Sequence, residues 1–129
     1  MTVQCISPAS VYDIAEVMAI STRLHWWIAK EMLSGGISWA FVKNGETIGV
    51  LGIYADADNL GEAWFDIKPS AQSSMLSICR ASRLTLPKTP YREVYTICTS
   101  EAGKRIAAMM GFKYLSQHEF GEKWIWETF

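Results

Sequence analysis

Apolar residues recur at helical spacing in four stretches of this chain. In each stretch they fall three or four positions apart, so that they would line one face of a helix. Ser10 with Asp13 three positions later has the pattern of a capping box and marks the start of the first helix. The pattern therefore predicts helices over residues 11–18, 21–33, 71–86 and 101–110.

Shorter segments rich in β-branched and aromatic residues lie between these helices and predict strands. They cover residues 3–6, 39–43, 48–54, 63–67, 93–99, 112–115 and 123–126. Asn44-Gly45 separates two of them and is a strong hairpin signal, because both positions tolerate positive φ. Residues 55–61 are mostly polar or small and are predicted to form a loop.

The resulting element order is β-αα-βββ-α-β-α-ββ. The helix between Ile67 and Glu93 can act as a crossover, so the strands on either side of it should be parallel, whereas the hairpin strands are antiparallel. We therefore predict an α/β (α+β) fold, in which about four helices flank a mixed central sheet of six to seven strands. With 129 residues and no linker-like segment, residues 1–129 are expected to form one domain.

Composition excludes several classes of function. Half of the residues are hydrophobic, and the net charge of −1 is unlike the strongly basic balance of nucleic-acid-binding domains. No apolar run reaches the roughly 20 residues that cross a bilayer, and no secretory signal is recognisable. Three cysteines without a CxxC pair, and only two histidines, indicate neither a disulfide framework nor a zinc site. A cytoplasmic protein is expected.

Residues 100–112, which read SEAGKRIAAMMGF, resemble the segment that follows the fifth strand in the GNAT (Gcn5-related N-acetyltransferase) superfamily. Ser100 stands at the family's Asn position, Gly103 at its small residue, and Gly111-Phe112 at its closing Gly-Phe. The order of elements is also similar to that family along nearly the whole chain. Three segments, DIAEVMA at 13–19, NGETIGVLGIY at 44–54 and GEAWFDI at 61–67, are further similar to GNAT-like proteins of tailed bacteriophages.

The resemblance implies that the chain binds acetyl-CoA and acetylates an amine. In the family, the fourth and fifth strands splay apart and the pantetheine arm lies between them, which would place the arm along Phe65, Ile67 and Lys68. The pyrophosphate would lie at the start of the next helix. The residues implied there are Gln72, Ser73, Ser74 and Ser77. The cations that could meet the 3′-phosphate, or simply be solvated, are Arg80, Arg83, Lys104 and Arg105.

Two positions depart from the family pattern. Met75 stands where a glycine usually lets the backbone approach the phosphates. Ala107 stands at the position of the tyrosine that protonates the leaving thiolate, for which the possible substitutes are Tyr114, Tyr95 and Ser100. The resemblance therefore leaves two readings: an N-acetyltransferase, or a phage structural or host-interaction protein that kept the fold, lost the chemistry and is virion-associated.

Glu62 begins the strand before the cofactor helix. The resemblance implies that it acts as a base on the amine through water, and the alternative is a solvated turn residue. His25, Trp26 and Trp27 lie where the family places part of its acceptor site, which implies contact with an amine of a small molecule or a protein. Adjacent tryptophans cannot both face the core of one helix, so either one of the pair is exposed and contacts a ligand or partner, or both pack under a neighbouring loop. If residues 124–126 form an edge strand, their outer face could support a homodimer.

Overall fold

The computed structural model describes residues 3–57 and 59–127, which form one seven-stranded sheet and four α-helices in the predicted order. The strands are β1 (Gln4–Ile6), β2 (Gly36–Lys43), β3 (Glu46–Ala57), β4 (Leu60–Ile67), β5 (Glu93–Cys98), β6 (Lys113–His118) and β7 (Gly121–Glu127). The α-helices are α1 (Val11–Met18), α2 (Arg23–Ser34), α3 (Met75–Thr85) and α4 (Glu101–Met110). The predicted fold class is confirmed.

The strands lie in the order β1-β2-β3-β4-β5-β7-β6. Only the β4–β5 pair is parallel within the described residues, as the crossover through α3 predicts. β7 is inserted between β5 and β6, so it is not an edge strand. The condition under which residues 124–126 would offer an edge to a second copy is therefore not met, and β6 is the edge at this end of the sheet.

The β2–β3 and β3–β4 connections show what local sequence signals capture. The predicted turn at Asn44-Gly45 is present, with φ of 55° and 77°. The loop predicted over residues 55–61 is wrong, because β3 continues to Ala57 and β4 begins at Leu60. Backbone pairing extends the hairpin beyond the apolar segment, since exposed strand positions do not need apolar side chains.

The helix predicted over residues 71–86 is divided. A 3₁₀ segment, Pro69–Ser74, precedes α3, and another, Leu86–Lys88, follows it. The first begins with an i→i−3 bond in which Ala71 N–H donates to the Lys68 carbonyl at 2.9 Å, and neither it nor α3 has a side-chain cap. No helix in the described part of the chain combines the length and apolar character needed to cross a membrane.

The helices cover the two faces of the sheet in pairs. On one face, α1 and α2 bury Ile14 and Ala29 against Val50 of β3. On the other, α3 and α4 bury residues such as Cys79 and Met110. Because side chains alternate along a strand, neighbouring residues of the central strands contribute to opposite cores. Trp64 of β4 consequently packs under α1 and α2, and Phe65 packs under α3 and α4.

Gly52 of β3 is required by the ring of Trp64. A Cβ at Gly52 would lie 2.1 Å from Trp64 Cζ2, whereas a Cβ at Gly49 of the same strand would meet its neighbours at 3.4 Å. We expect Gly52→Ala to lower the free energy of unfolding by about 1–3 kcal/mol through overpacking. Gly49→Ala, the matched control, should change it by less than about 1 kcal/mol. Urea denaturation measures both, and equal stabilities of the two variants would contradict this packing.

Candidate functional site

Strands β4 and β5 pair over only three residues each. The register joins Leu60, Gly61 and Glu62 to Glu93, Val94 and Tyr95. Beyond these rungs β4 continues to Ile67 and β5 to Cys98 without pairing to one another. One side-chain bond, from Thr96 Oγ1 to the Ala63 carbonyl at 3.0 Å, closes the apex. The two strands thus separate as predicted, and we call the gap between them the β4–β5 opening.

The backbone of β4 presents free polar groups to this opening. Lys68 N–H donates to the Ile48 carbonyl beside β3 at 2.9 Å, whereas the Ala63 carbonyl points towards β5. Because N–H and C=O groups alternate in direction along a strand, those of Phe65 and Ile67 point into the opening. The unpaired edge can therefore bind an extended chain that carries amide groups, in the manner of an added strand.

A groove of about 550 Å³ runs from the opening to the start of the 3₁₀ segment and along α4. Its lining residues are Phe65, Asp66, Ile67, Lys68, Pro69, Gln72, Met75, Ser100, Ala102, Gly103, Arg105, Ile106 and Met109. A smaller inner cavity of about 270 Å³ lies at the apex, between β4 and β5, and includes Glu62, Trp64 and Cys98. The two spaces share Phe65, Ser100 and Gly103, and are therefore contiguous.

Four of the predicted cofactor residues line this groove, and four do not. Phe65, Ile67, Lys68 and Gln72 are in its wall. The side chains of Ser73, Ser77 and Arg80 are exposed and outside that wall. Ser74 is buried, and its hydroxyl accepts a hydrogen bond from Lys43 Nζ at 3.1 Å. Of the four cations considered for the 3′-phosphate, Arg105 lines the groove.

Lys68 is held in place by two carboxylates. Its Nζ lies 2.9 Å from Glu16 Oε2 of α1 and 2.9 Å from Glu46 Oε1 of β3. The hydrogen bonds to Glu16 and Glu46 raise the pKa of Lys68, so the ammonium remains charged. Lys68 therefore fixes the end of β4 against α1, and the same residue borders the groove.

Met75 and Asp66 set the character of the groove's wall. Met75 is partly buried against the core beneath α3 and α4, and it lines the groove. Burial raises the pKa of Asp66, although a hydrogen bond from the Ile67 backbone opposes this shift. Apolar residues of α4 that the sequence patterns did not single out, Ile106 and Met109, complete the wall. The sequence signal that could have identified them is their three-residue spacing, which places both on one face of α4.

The three candidate catalytic residues are not all brought together. Glu62 lines the inner cavity at the last rung of the β4–β5 ladder. Ser100 lies where groove and inner cavity meet. Its Oγ accepts from Gly103 N–H at 3.0 Å as the N-cap of α4, which leaves the hydroxyl hydrogen available to another acceptor. Tyr114 stands apart on β6, half-exposed, with its ring edge-on to Trp124 and outside both linings.

Ala107, at the family's tyrosine position, is fully buried among core residues that include Cys98 and Met110. No phenol reaches the opening from this turn of α4. Cys98, which lines the inner cavity, has a thiol whose pKa is raised by burial and by the nearby charge of Glu122, so it is a weak nucleophile.

The predicted acceptor residues lie on α2, away from the groove. His25 borders a separate, mainly apolar cavity of about 260 Å³ between α1 and α2. Trp26 packs edge-on against Tyr12, with 5.8 Å between ring centroids, whereas Trp27 is 61% exposed. Of the two alternatives, exposure of one tryptophan is the one found, and packing of both under a neighbouring loop is wrong. His25, Trp26 and Trp27 share the α1–α2 face of the sheet, and none of them lines the groove or the inner cavity.

Solved structures share this architecture over nearly their whole length. They include the Campylobacter jejuni N-acetyltransferase PseH in complex with acetyl coenzyme A (TM-score 0.70, 7% identity, 99% of this chain and 100% of that chain). An N-acetyltransferase from Staphylococcus aureus Mu50 has a TM-score of 0.75 at 9% identity, covering 98% of each chain. A GNAT-family acetyltransferase from Streptococcus pneumoniae has a TM-score of 0.62 at 14% identity, covering 95% of this chain and 96% of that one.

No family model and no curated protein matches the sequence. The similarity to the solved structures is therefore one of fold, and at these identities it establishes the GNAT fold.

Ser100 has a capping role that can be separated from any chemical role. We expect Ser100→Ala to lower the free energy of unfolding by about 0.5–2 kcal/mol, because Gly103 N–H loses its acceptor. Ser100→Asn should stay within a few tenths of a kcal/mol of the wild type, since asparagine caps as well as serine. Urea denaturation of both variants measures the difference. An alanine variant as stable as the asparagine variant would show that the cap contributes nothing.

Proposed function

We propose that this protein transfers the acetyl group of acetyl-CoA to an amine of a small molecule or a protein. The observation that carries the proposal is the β4–β5 opening, where an unpaired backbone edge borders a groove of about 550 Å³. The same fold holds acetyl coenzyme A in PseH, which supports this use of the opening.

The residues of the groove fit the cofactor along most of its length. The backbone groups of Phe65 and Ile67 can pair with the amides of the pantetheine arm, and Ile106 offers the arm an apolar wall. The volume lies within the range of about 300–1,000 Å³ that small-molecule sites occupy. Arg105 supplies positive charge for phosphate groups. Met75 narrows the end where the pyrophosphate would lie.

Bound acetyl-CoA supplies a thioester whose acetyl carbon is attacked by the amine as the carbon–sulfur bond breaks. Glu62, at the apex, accepts the proton of the attacking amine directly or through a water molecule. A free N–H of β4 in the opening polarises the carbonyl. Ser100, which borders both spaces, donates a hydrogen bond to the departing thiolate, which takes its proton from water.

Ala107 and Met75 favour a second candidate, a protein that uses the fold without turnover. The buried Ala107 removes the family's acid, and Met75 crowds the phosphate end. Such a protein would be a structural or host-interaction component, as the similarity of three segments to tailed-phage proteins suggests, and would be virion-associated. The acetyltransferase would act in the cytoplasm. A homodimer of either would use β6, whose six residues are all exposed.

Cofactor binding tests the groove. Isothermal titration of acetyl-CoA into the wild-type protein should give a saturable heat, and Met75→Gly should tighten binding by opening the phosphate end. Met75→Glu should weaken it by at least about tenfold, because about 1.4 kcal/mol of charge repulsion is enough for that factor. Leu76→Glu is the matched control, because Leu76 is 54% exposed on the same helix and outside the groove.

Equal affinities of all four proteins would mean that the pyrophosphate lies elsewhere. Neither heat nor thermal stabilisation at millimolar acetyl-CoA would overturn the acetyltransferase proposal and leave the second candidate.

Turnover tests Glu62. Release of free thiol from acetyl-CoA, followed against a panel of amines, should fall by about 10²–10⁴-fold in Glu62→Gln, because the amine loses its proton acceptor. The KM for acetyl-CoA should not change, since the substitution removes a charge without shortening the side chain. Glu93→Gln, at the exposed first residue of β5, is the isosteric control and should retain full activity. An unaffected Glu62→Gln enzyme would remove Glu62 from the reaction.

A further inference from the structure

Three polar side chains from three strands meet beside the apex of the β4–β5 opening. The Tyr95 hydroxyl of β5 lies 2.9 Å from Asp56 Oδ2 of β3 and 3.2 Å from Glu62 Oε2 of β4. Lys123 Nζ of β7 lies 4.6 Å from the centroid of the Tyr95 ring. Glu62 and Tyr95 form the last rung of the β4–β5 ladder, so this row borders the point where the strands separate.

The phenol has one hydrogen and two carboxylates beside it. It can donate to only one of them at a time, and Asp56 is the nearer acceptor. Partial burial, the hydrogen bond to Asp56 and the charge of Glu62 raise the pKa of Tyr95, so the hydroxyl keeps its hydrogen at neutral pH. When the hydrogen lies towards Asp56, the nearer acceptor, the oxygen presents a lone pair to Glu62.

We propose that Asp56 and Tyr95 are positioning residues for Glu62: Tyr95 donates its hydrogen to Asp56 and presents its oxygen to Glu62 as a hydrogen-bond acceptor. This inference rests on the proposed role of Glu62 as the base. An ionised Glu62 has nothing to donate to that oxygen, whereas a protonated Glu62 does. The row consequently offers an acceptor to the new O–H of Glu62 once Glu62 has taken the proton of the amine.

The proton balance of this step is complete within the row. The amine's N–H bond breaks, and an O–H bond forms on Glu62. That new O–H donates to the Tyr95 oxygen, while the Tyr95 hydrogen stays on Tyr95 and continues to donate to Asp56. No second proton transfer is needed.

In the described part of the chain, which leaves out residue 58, few charged or titratable groups surround Glu62. Asp56 and the cross-strand neighbour Tyr54 belong to β3, and Tyr95 belongs to β5. Lys123 of β7 lies above the Tyr95 ring. In the described residues of α1 and α2, which cover this face, no charged side chain forms a hydrogen bond or ion pair with Glu62.

The hydrogen-bond order can be measured without any activity. In protein labelled at tyrosine ¹³Cζ, the Tyr95 resonance is assigned from its loss in Tyr95→Phe and followed through an alkaline titration. Asp56→Asn should lower the pKa of Tyr95 by about one unit, because it removes a hydrogen-bonded anion. Glu62→Gln should lower it by less. A larger effect of Glu62→Gln would mean that the phenol donates to Glu62, and would overturn the proposal.

Turnover supplies the second readout. In Tyr95→Phe, kcat should fall about tenfold or more with an unchanged KM for acetyl-CoA, since one hydrogen bond that forms only with protonated Glu62 is lost. Tyr54→Phe, which removes a neighbouring phenol outside the row, should match the wild type. An unchanged kcat in Tyr95→Phe, or a change confined to KM, overturns the proposal.

The Tyr95 titration and the turnover assay distinguish failure of the positioning role from failure of the acetyltransferase proposal. If no thiol is released from any amine but Asp56→Asn has the larger effect on Tyr95, the hydrogen-bond order stands and the acetyltransferase proposal fails. If turnover depends on Glu62 and the order is reversed, the acetyltransferase proposal stands and the positioning role fails.

Discussion

The early end of the β4–β5 ladder is the constraint on which the rest of the site depends. Each strand is held along its length by its outer neighbour: β3 pairs with β4 from Ile67 to Leu60, and β7 pairs with all six residues of β5. Neither strand can move towards the other without breaking those ladders. The opening is therefore imposed by the whole sheet rather than by one loop, and it persists without a ligand to hold it.

An unpaired strand edge in the middle of a sheet is costly unless its polar groups find partners. The N–H and C=O groups of Phe65 and Ile67 are accessible to water in the groove, which provides those partners. An extended ligand with amide groups can replace that water bond for bond, and its apolar links can pack on Ile106 and Met109. The separation of the strands thus explains why the groove favours a long, amide-bearing molecule over a compact one.

Local sequence signals predicted the helices, strands and turns, whereas long-range backbone pairing determined the strand ends and the strand order. The Ser10–Asp13 capping box and the Asn44-Gly45 turn are both present, and the Gly111 stop has a φ of 101°. These features depend on residues a few positions apart. The end of β3 at Ala57 and the insertion of β7 depend on which backbones pair, which hydrophobic spacing does not encode.

The predictions for the candidate site also divide into those that the structure places in the groove and those that it does not. Phe65, Ile67 and Gln72 were placed by the resemblance to the GNAT family, and all three line the groove. Ser73, Ser77 and Arg80 were expected on one regular helix from residue 71, whereas a 3₁₀ segment precedes α3 and the three side chains are exposed outside the groove wall. The contact between Tyr95 and Asp56 joins residues 39 positions apart, so no motif could have shown it.

In the proposed reaction, the departures at Met75 and Ala107 do not affect the larger free-energy cost, which is deprotonation of the amine. An amine with a pKa of about 10.4 is neutral in only about 1 molecule in 2,500 at pH 7, which corresponds to about 4.6 kcal/mol. A thiolate whose conjugate acid has a pKa of about 8.5 leaves unaided at a cost of about 2 kcal/mol. Ala107 removes help from the smaller of these terms, whereas Glu62 addresses the larger. In the proposed reaction, the carboxylate of Glu62, which lies beside the Tyr95 hydroxyl, therefore serves the step at which a base contributes most.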